Sequence, residues 1–115
     1  MRKLTVTIIA TAGIVAAACG AGTAQTPSVR VTLSDFRFAP APIQVPANTM
    51  VAFQLTNSGS VEHDVTAMDL GLHLHVGTAQ RVEEVVGPFK PGTYDIYCSV
   101  AGHREAGMVG RIVVK

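Results

Sequence analysis

The chain reads as an all-β domain, a sandwich or barrel of seven to eight short strands. Three observations carry this reading. Apolar and polar residues alternate in short runs, as in Val29-Arg30-Val31-Thr32-Leu33, the period-two pattern of a half-buried strand. Proline and glycine punctuate the intervals between such runs, at Pro40, Pro42, Pro46, Gly87-Pro88 and Pro91-Gly92, and these residues mark turns. No segment sustains the 3.6-residue apolar period of a helix. Short strands at turn-separated intervals are the signature of sandwiches and barrels. A length of 115 residues allows one domain, and about 90 residues bury enough apolar surface to fold alone.

The elements follow in order. Val29–Leu33 is the first strand. The prolines at 40, 42 and 46 confine Ile43–Val45 to a short or edge strand, because proline cannot donate to a ladder. Met50–Thr56 is a strand with Val51, Phe53 and Leu55 on one face, and Asn57-Ser58-Gly59-Ser60 is a turn. Val61–Met68 is a strand that carries His63 near its start. Gln80–Val86, Thr93–Cys98 and Met108–Val114 complete the set. Tyr94, Ile96 and Cys98 share one strand face, as do His63, Val65 and Ala67.

The domain, residues 29–115, is preceded by a leader. Met1-Arg2-Lys3 and the apolar stretch Leu4–Ala18 form the basic and hydrophobic regions of a signal peptide over residues 1–18. About 15 apolar residues are too few for a membrane span, which needs about 20. Val15-Ala16-Ala17-Ala18-Cys19-Gly20 resembles a bacterial lipobox, with Ala16 where leucine is commonest. That resemblance implies lipidation at Cys19 and a lipid-anchored product, with residues 19–28, small and polar, as the lipidation site and a flexible tether. Cleavage after Gly22-Thr23-Ala24 would instead release a soluble periplasmic or secreted protein. Either route places the domain outside the cytoplasm. With Cys19 lipidated and Cys98 in a metal site, neither is free for a disulfide; a Cys19–Cys98 disulfide is the alternative.

Composition excludes other classes. The formal charge is +1, and without Arg2 and Lys3 the chain carries seven basic and eight acidic residues. No basic block is interleaved with aromatics, so nucleic acid is not an expected partner. No nucleophile–base pair or paired carboxylates stand out, and the expectation is a protein that is not an enzyme.

The chemistry lies in Tyr97-Cys98-Ser99-Val100-Ala101-Gly102-His103-Arg104-Glu105-Ala106-Gly107-Met108. A thiolate, an imidazole and a thioether recur at five-residue steps between two apolar runs. Cysteine, two histidines and a weakly bound methionine form the ligand set of a blue-copper electron-transfer site. His63 supplies the second histidine. Soft thiolate and thioether ligands favour Cu(I), while imidazole suits either oxidation state.

With Phe53-Gln54-Leu55-Thr56-Asn57, Glu62-His63-Asp64-Val65 and Pro91-Gly92-Thr93-Tyr94 leading into this loop, residues 29–115 resemble the cupredoxins, the small blue-copper proteins. The Cys98-to-His103-to-Met108 spacing is similar to that of rusticyanins, plant phytocyanins and the copper domains of larger oxidases. The resemblance implies a Greek-key β-sandwich and one type 1 copper ion held by His63, Cys98, His103 and Met108. In such proteins the residue after the first histidine is often asparagine, tied to the residue after the cysteine. Here these positions are Asp64 and Ser99, and an ionised aspartate only accepts hydrogen bonds. The resemblance also implies that His103 shows a ring edge to redox partners, through a rim of Val100, Ala101, Gly102, Ala106, Gly59 and Pro88. Tyr97 is a candidate for a second electron route.

His73-Leu74-His75 places two rings on one strand face and is a candidate for a weak secondary metal site. The expected function is carriage of single electrons between extracytoplasmic redox partners by a membrane-tethered monomer. The alternative is a copper carrier or chaperone that delivers the metal to an oxidase.

Overall fold

The computed structural model describes residues 12–14 and 25–115. Most of the signal peptide, Cys19 and most of the tether lie outside the described residues. Nine strands are present among them: β1 (Ser28–Ser34), β2 (Arg37–Ala39), β3 (Ile43–Val45), β4 (Val51–Asn57), β5 (His63–Ala67), β6 (Leu72–Val76), β7 (Arg81–Val86), β8 (Gly92–Tyr97) and β9 (Val109–Val114). A single 3₁₀ turn, Met68–Leu70, links β5 to β6. No helix among the described residues is long and apolar enough to cross a membrane.

The strands form two sheets packed face to face, in the orders β2-β1-β4-β7 and β3-β9-β8-β5-β6. β1 runs parallel to β4, and β3 runs parallel to β9; the other pairings are antiparallel. Two strands go beyond the seven segments read from the sequence. β2 is three residues long with only Phe38 buried, too short for alternation to register. β6 alternates fully, with Leu72, Leu74 and Val76 buried between exposed histidines. The sequence marks its histidine pair more strongly than its strand. As expected from its prolines, β3 is short and at a sheet edge.

Alternation places the core. Val31, Leu33, Val51, Phe53 and Leu55 face inward from one sheet; Val65, Leu74, Val76, Ile96 and Ile112 face them from the other. Each such side chain stabilises the fold by about 1.5–3 kcal/mol relative to exposure.

Register decides what sits at each pole. Leu33 lies beside Asn57, His63 opposite Val76, and Tyr97 opposite Val109. The ends of β1, β4, β6 and β8 and the starts of β5 and β9 therefore meet at one pole. Ser28 pairs with Ala52, Val86 with Val51, and Val114 with Gly92 at the other. Both ends of the folded domain thus leave from the second pole. Gly87 is there too, so close to Thr49 that a Cβ would meet its carbonyl at 3.0 Å. Pro88, which follows Gly87, accordingly does not belong to a rim around His103.

Candidate metal centre

At the first pole three donors converge. His63 begins β5, Cys98 follows the last residue of β8, and His103 lies in the loop before β9. Cys98 Sγ is 3.9 Å from His63 Nδ1 and 3.4 Å from His103 Nδ1; the two nitrogens are 3.1 Å apart. All three residues are buried. Among the described residues they form the sole cluster of three or more His, Cys, Asp or Glu with metal-ligand proximity. A triangle with these edges has a point ~2.0 Å from every corner, close to metal–nitrogen bonds of ~2.0–2.1 Å and slightly short of a metal–thiolate bond of ~2.3 Å. The donor set and its size therefore fit one soft or borderline metal ion. Met108 is fully buried at the end of the same loop.

The loop holds itself in place. His103 N–H donates to Val100 O, Ala106 N–H to Gly102 O, and Gly107 N–H to Arg104 O, each at 3.0 Å. Met108 N–H donates to His103 O, and Cys98 N–H to Met108 O at 3.1 Å. This last bond ties Cys98 to Met108, the fourth candidate. Gly107 has φ +98°, a left-handed conformation that side chains resist, and it turns the chain into Met108.

Asp64 and Ser99 are in contact. Asp64 Oδ1 accepts from Ser99 N–H at 2.9 Å, and Oδ2 accepts from the Ser99 hydroxyl. Asp64 also offers its own backbone N–H to Cys98 Sγ at 3.4 Å. Thr66 Oγ1 donates to Asp64 Oδ1 at 2.8 Å and lies 2.9 Å from His73 Nδ1. Burial pushes the Cys98 thiol above its ordinary pKa, against the pull of the Asp64 and Val100 N–H groups. A metal ion that takes the thiolate would therefore displace a proton.

Other candidates fall apart from the cluster. His73 is engaged with Thr66, and exposed His75 pairs with Glu62 at 2.8 Å; among the described residues the two belong to no cluster of three or more His, Cys, Asp or Glu donors. His103 keeps only 8% of its surface exposed. Its cover is Phe36, whose ring meets His103 edge-on at 4.8 Å and lies 6.1 Å from His63. Val100 and Gly59 are half-buried nearby, and Ala101, Gly102 and Ala106 are exposed on the loop. Tyr97 is half-buried with the Arg104 guanidinium 4.3 Å above its ring.

Three residues at this pole were not singled out in the sequence. Phe36 and Asp35 lie in the β1–β2 turn, where no local pattern marks them. Asp35 Oδ1 is 2.7 Å from His63 Nε2, and its Oδ2 accepts from the Ser60 N–H at 2.9 Å and from the Ser60 hydroxyl. These bonds, those from Ser60 foremost and the one from His63 next, hold the Asp35 carboxyl down at about 2. Asn57, read as a turn residue, is buried. Its amide donates to the carbonyls of Val61, Val76 and Gly77, and its Oδ1 accepts from Gly59 N–H. It fastens the segment leading to His63 against the end of β6.

The two-sheet sandwich with a Cys-His-Met loop at one pole is that of a cupredoxin. The family model for the Cupredoxin-like domain matches residues 5–114, and the chain belongs to that family. It is 34% identical over 109 residues to the copper-resistant cuproprotein CopI of Rubrivivax gelatinosus, covering 76% of this chain and 66% of that protein. The chain spans less than two thirds of the length of the curated relatives it matches, 66% and 55%. The fold is similar to that of auracyanin B, with a TM-score of 0.65 and 22% identity over 81% of this chain and 93% of that one. It is also similar to auracyanin A, a "blue" copper protein from Chloroflexus aurantiacus, with a TM-score of 0.60, 17% identity, and coverage of 76% and 99%.

Proposed function

We propose that the chain is an extracytoplasmic copper protein whose one type 1 ion, which His63, Cys98, His103 and Met108 would hold, carries single electrons between redox partners. Copper at this position would supply a one-electron Cu(II)/Cu(I) couple. The carrying observation is the closed triangle of donors, already of ligand size, formed by three buried residues. Cys98 is fixed by the Asp64 N–H, and its loop by backbone bonds that need no metal. Donors held in this way rearrange little when charge changes, which favours transfer over chemistry on a substrate. On this reading the protein is a monomer and not an enzyme. Partners dock at the pole of Phe36, Val100 and Ala101, and a lipid on Cys19 tethers the chain to a membrane. The leader's charge and apolar length support export.

The test is addition of Cu(II) to the purified metal-free protein. One equivalent should bind, give intense thiolate-to-copper absorption, and cycle reversibly in voltammetry. Absence of that absorption would reject the site.

A second reading is copper handling, favoured by the relative named for copper resistance. It differs in one observable. A delivery protein should surrender Cu(I) to a competing protein acceptor within its working time, whereas a carrier should keep the metal through many redox cycles.

A further inference from the structure

We infer that Asp35 is a positioning residue that acts through His63: it fixes which ring nitrogen faces the donor triangle and places an uncompensated negative charge behind it. The inference rests on the reading of His63 as a ligand. His63 is fully buried, with Nδ1 in the triangle and Nε2 2.7 Å from Asp35 Oδ1. A neutral imidazole carries one N–H, and an ionised carboxylate can only accept. The proton therefore sits on Nε2, and Nδ1 presents its lone pair. Such an outer partner orients the ring and raises ligand basicity.

The rest of the turn is built to keep Asp35 there. Ser60 offers two donors to Oδ2, so the carboxylate cannot rotate away without losing both. A Cβ at Gly59 would collide with Asp35 Oδ1 and stand 2.8 Å from His63 Nε2. Only glycine allows this approach. Among the described residues, no Lys or Arg forms an ion pair with Asp35. Its charge is therefore directed at the histidine and whatever the histidine holds.

Charge arithmetic gives the sign. Cu(II) with one thiolate carries +1, and Cu(I) with one thiolate carries zero. A nearby carboxylate stabilises the first more than the second. Asp35 should lower the reduction potential and favour the oxidised state.

The experiment has two readouts. In metal-free protein, ¹⁵N-detected imidazole spectra should show the Nε2–H tautomer for His63. Asp35→Asn keeps an acceptor oxygen and removes the charge, so the tautomer should persist while the loaded protein's potential rises by a tenfold change in its Cu(II)/Cu(I) equilibrium, ~59 mV for one electron. Asp35→Ala should lose the single tautomer and bind metal about 10–100-fold more weakly. Gly59→Ala, which leaves the carboxylate in the chain but displaces it, should move the potential in the same direction as Asp35→Asn and covers the case in which Asp35→Ala does not fold. An unchanged potential in Asp35→Asn and Gly59→Ala, or a His63 in metal-free wild type that carries its proton on Nδ1, would overturn the assignment. Wild-type protein that takes up no copper would reject the proposed function instead, and the tautomer would still decide the role of Asp35.

Discussion

Cys98 and Met108 are placed alike, buried and bonded through one backbone hydrogen bond, yet they are expected to fail differently. Cys98 is the one thiol described in the folded domain. Cys98→Ser should abolish the intense copper absorption while leaving circular dichroism unchanged; surviving blue or green colour would refute the assignment. Met108→Gln replaces a soft donor with a harder oxygen, which stabilises Cu(II) over Cu(I). Voltammetry should then show a lower potential, with ~59 mV marking each tenfold change in equilibrium. An unchanged potential and spectrum would remove Met108 from the ligand set. Both residues were legible because thiolate and thioether are rare and stood in register with His103. Asp35 was not legible. A carboxylate acquires this meaning only when a turn folds back onto a residue 28 positions away.

Val29–Leu33 and Met50–Thr56 declared themselves through alternation or a shared apolar face, because a strand with one buried face must repeat every second residue. β2 could not, since three residues hold barely one period. Pairing was hidden too. The parallel contact of β1 with β4 joins segments with two other strands between them, and no local pattern encodes it. The last residue of β4 shows how an element sets a ligand. Asn57 satisfies three carbonyls and the Gly59 N–H, so its truncation leaves buried polar groups unpaired. Asn57→Ala should cost about 1–3 kcal/mol in urea unfolding and broaden the resonances of His63. Unaltered stability would show that water replaces the amide at no net cost.

At the scale of the molecule, core and site are separable. Phe53 is fully buried between the sheets, on a strand that supplies no candidate ligand. Phe53→Ala should cost about 3–5 kcal/mol and lower the unfolding midpoint. The copper absorption of the remaining folded protein should stay as in wild type; a changed spectrum at low denaturant would mean that the core tunes the site. The two poles have a further consequence. β1 enters at the pole away from the donors and runs toward them for seven residues, roughly 20 Å at ~3.3 Å per residue. A surface that held the chain by its leader would hold it by the far end. The donor pole would then look outward, like the lamp on a post. Traffic with partners in the surrounding fluid would be unobstructed, while a partner embedded in the same surface could be reached only if the domain tipped over or the partner rose to that height.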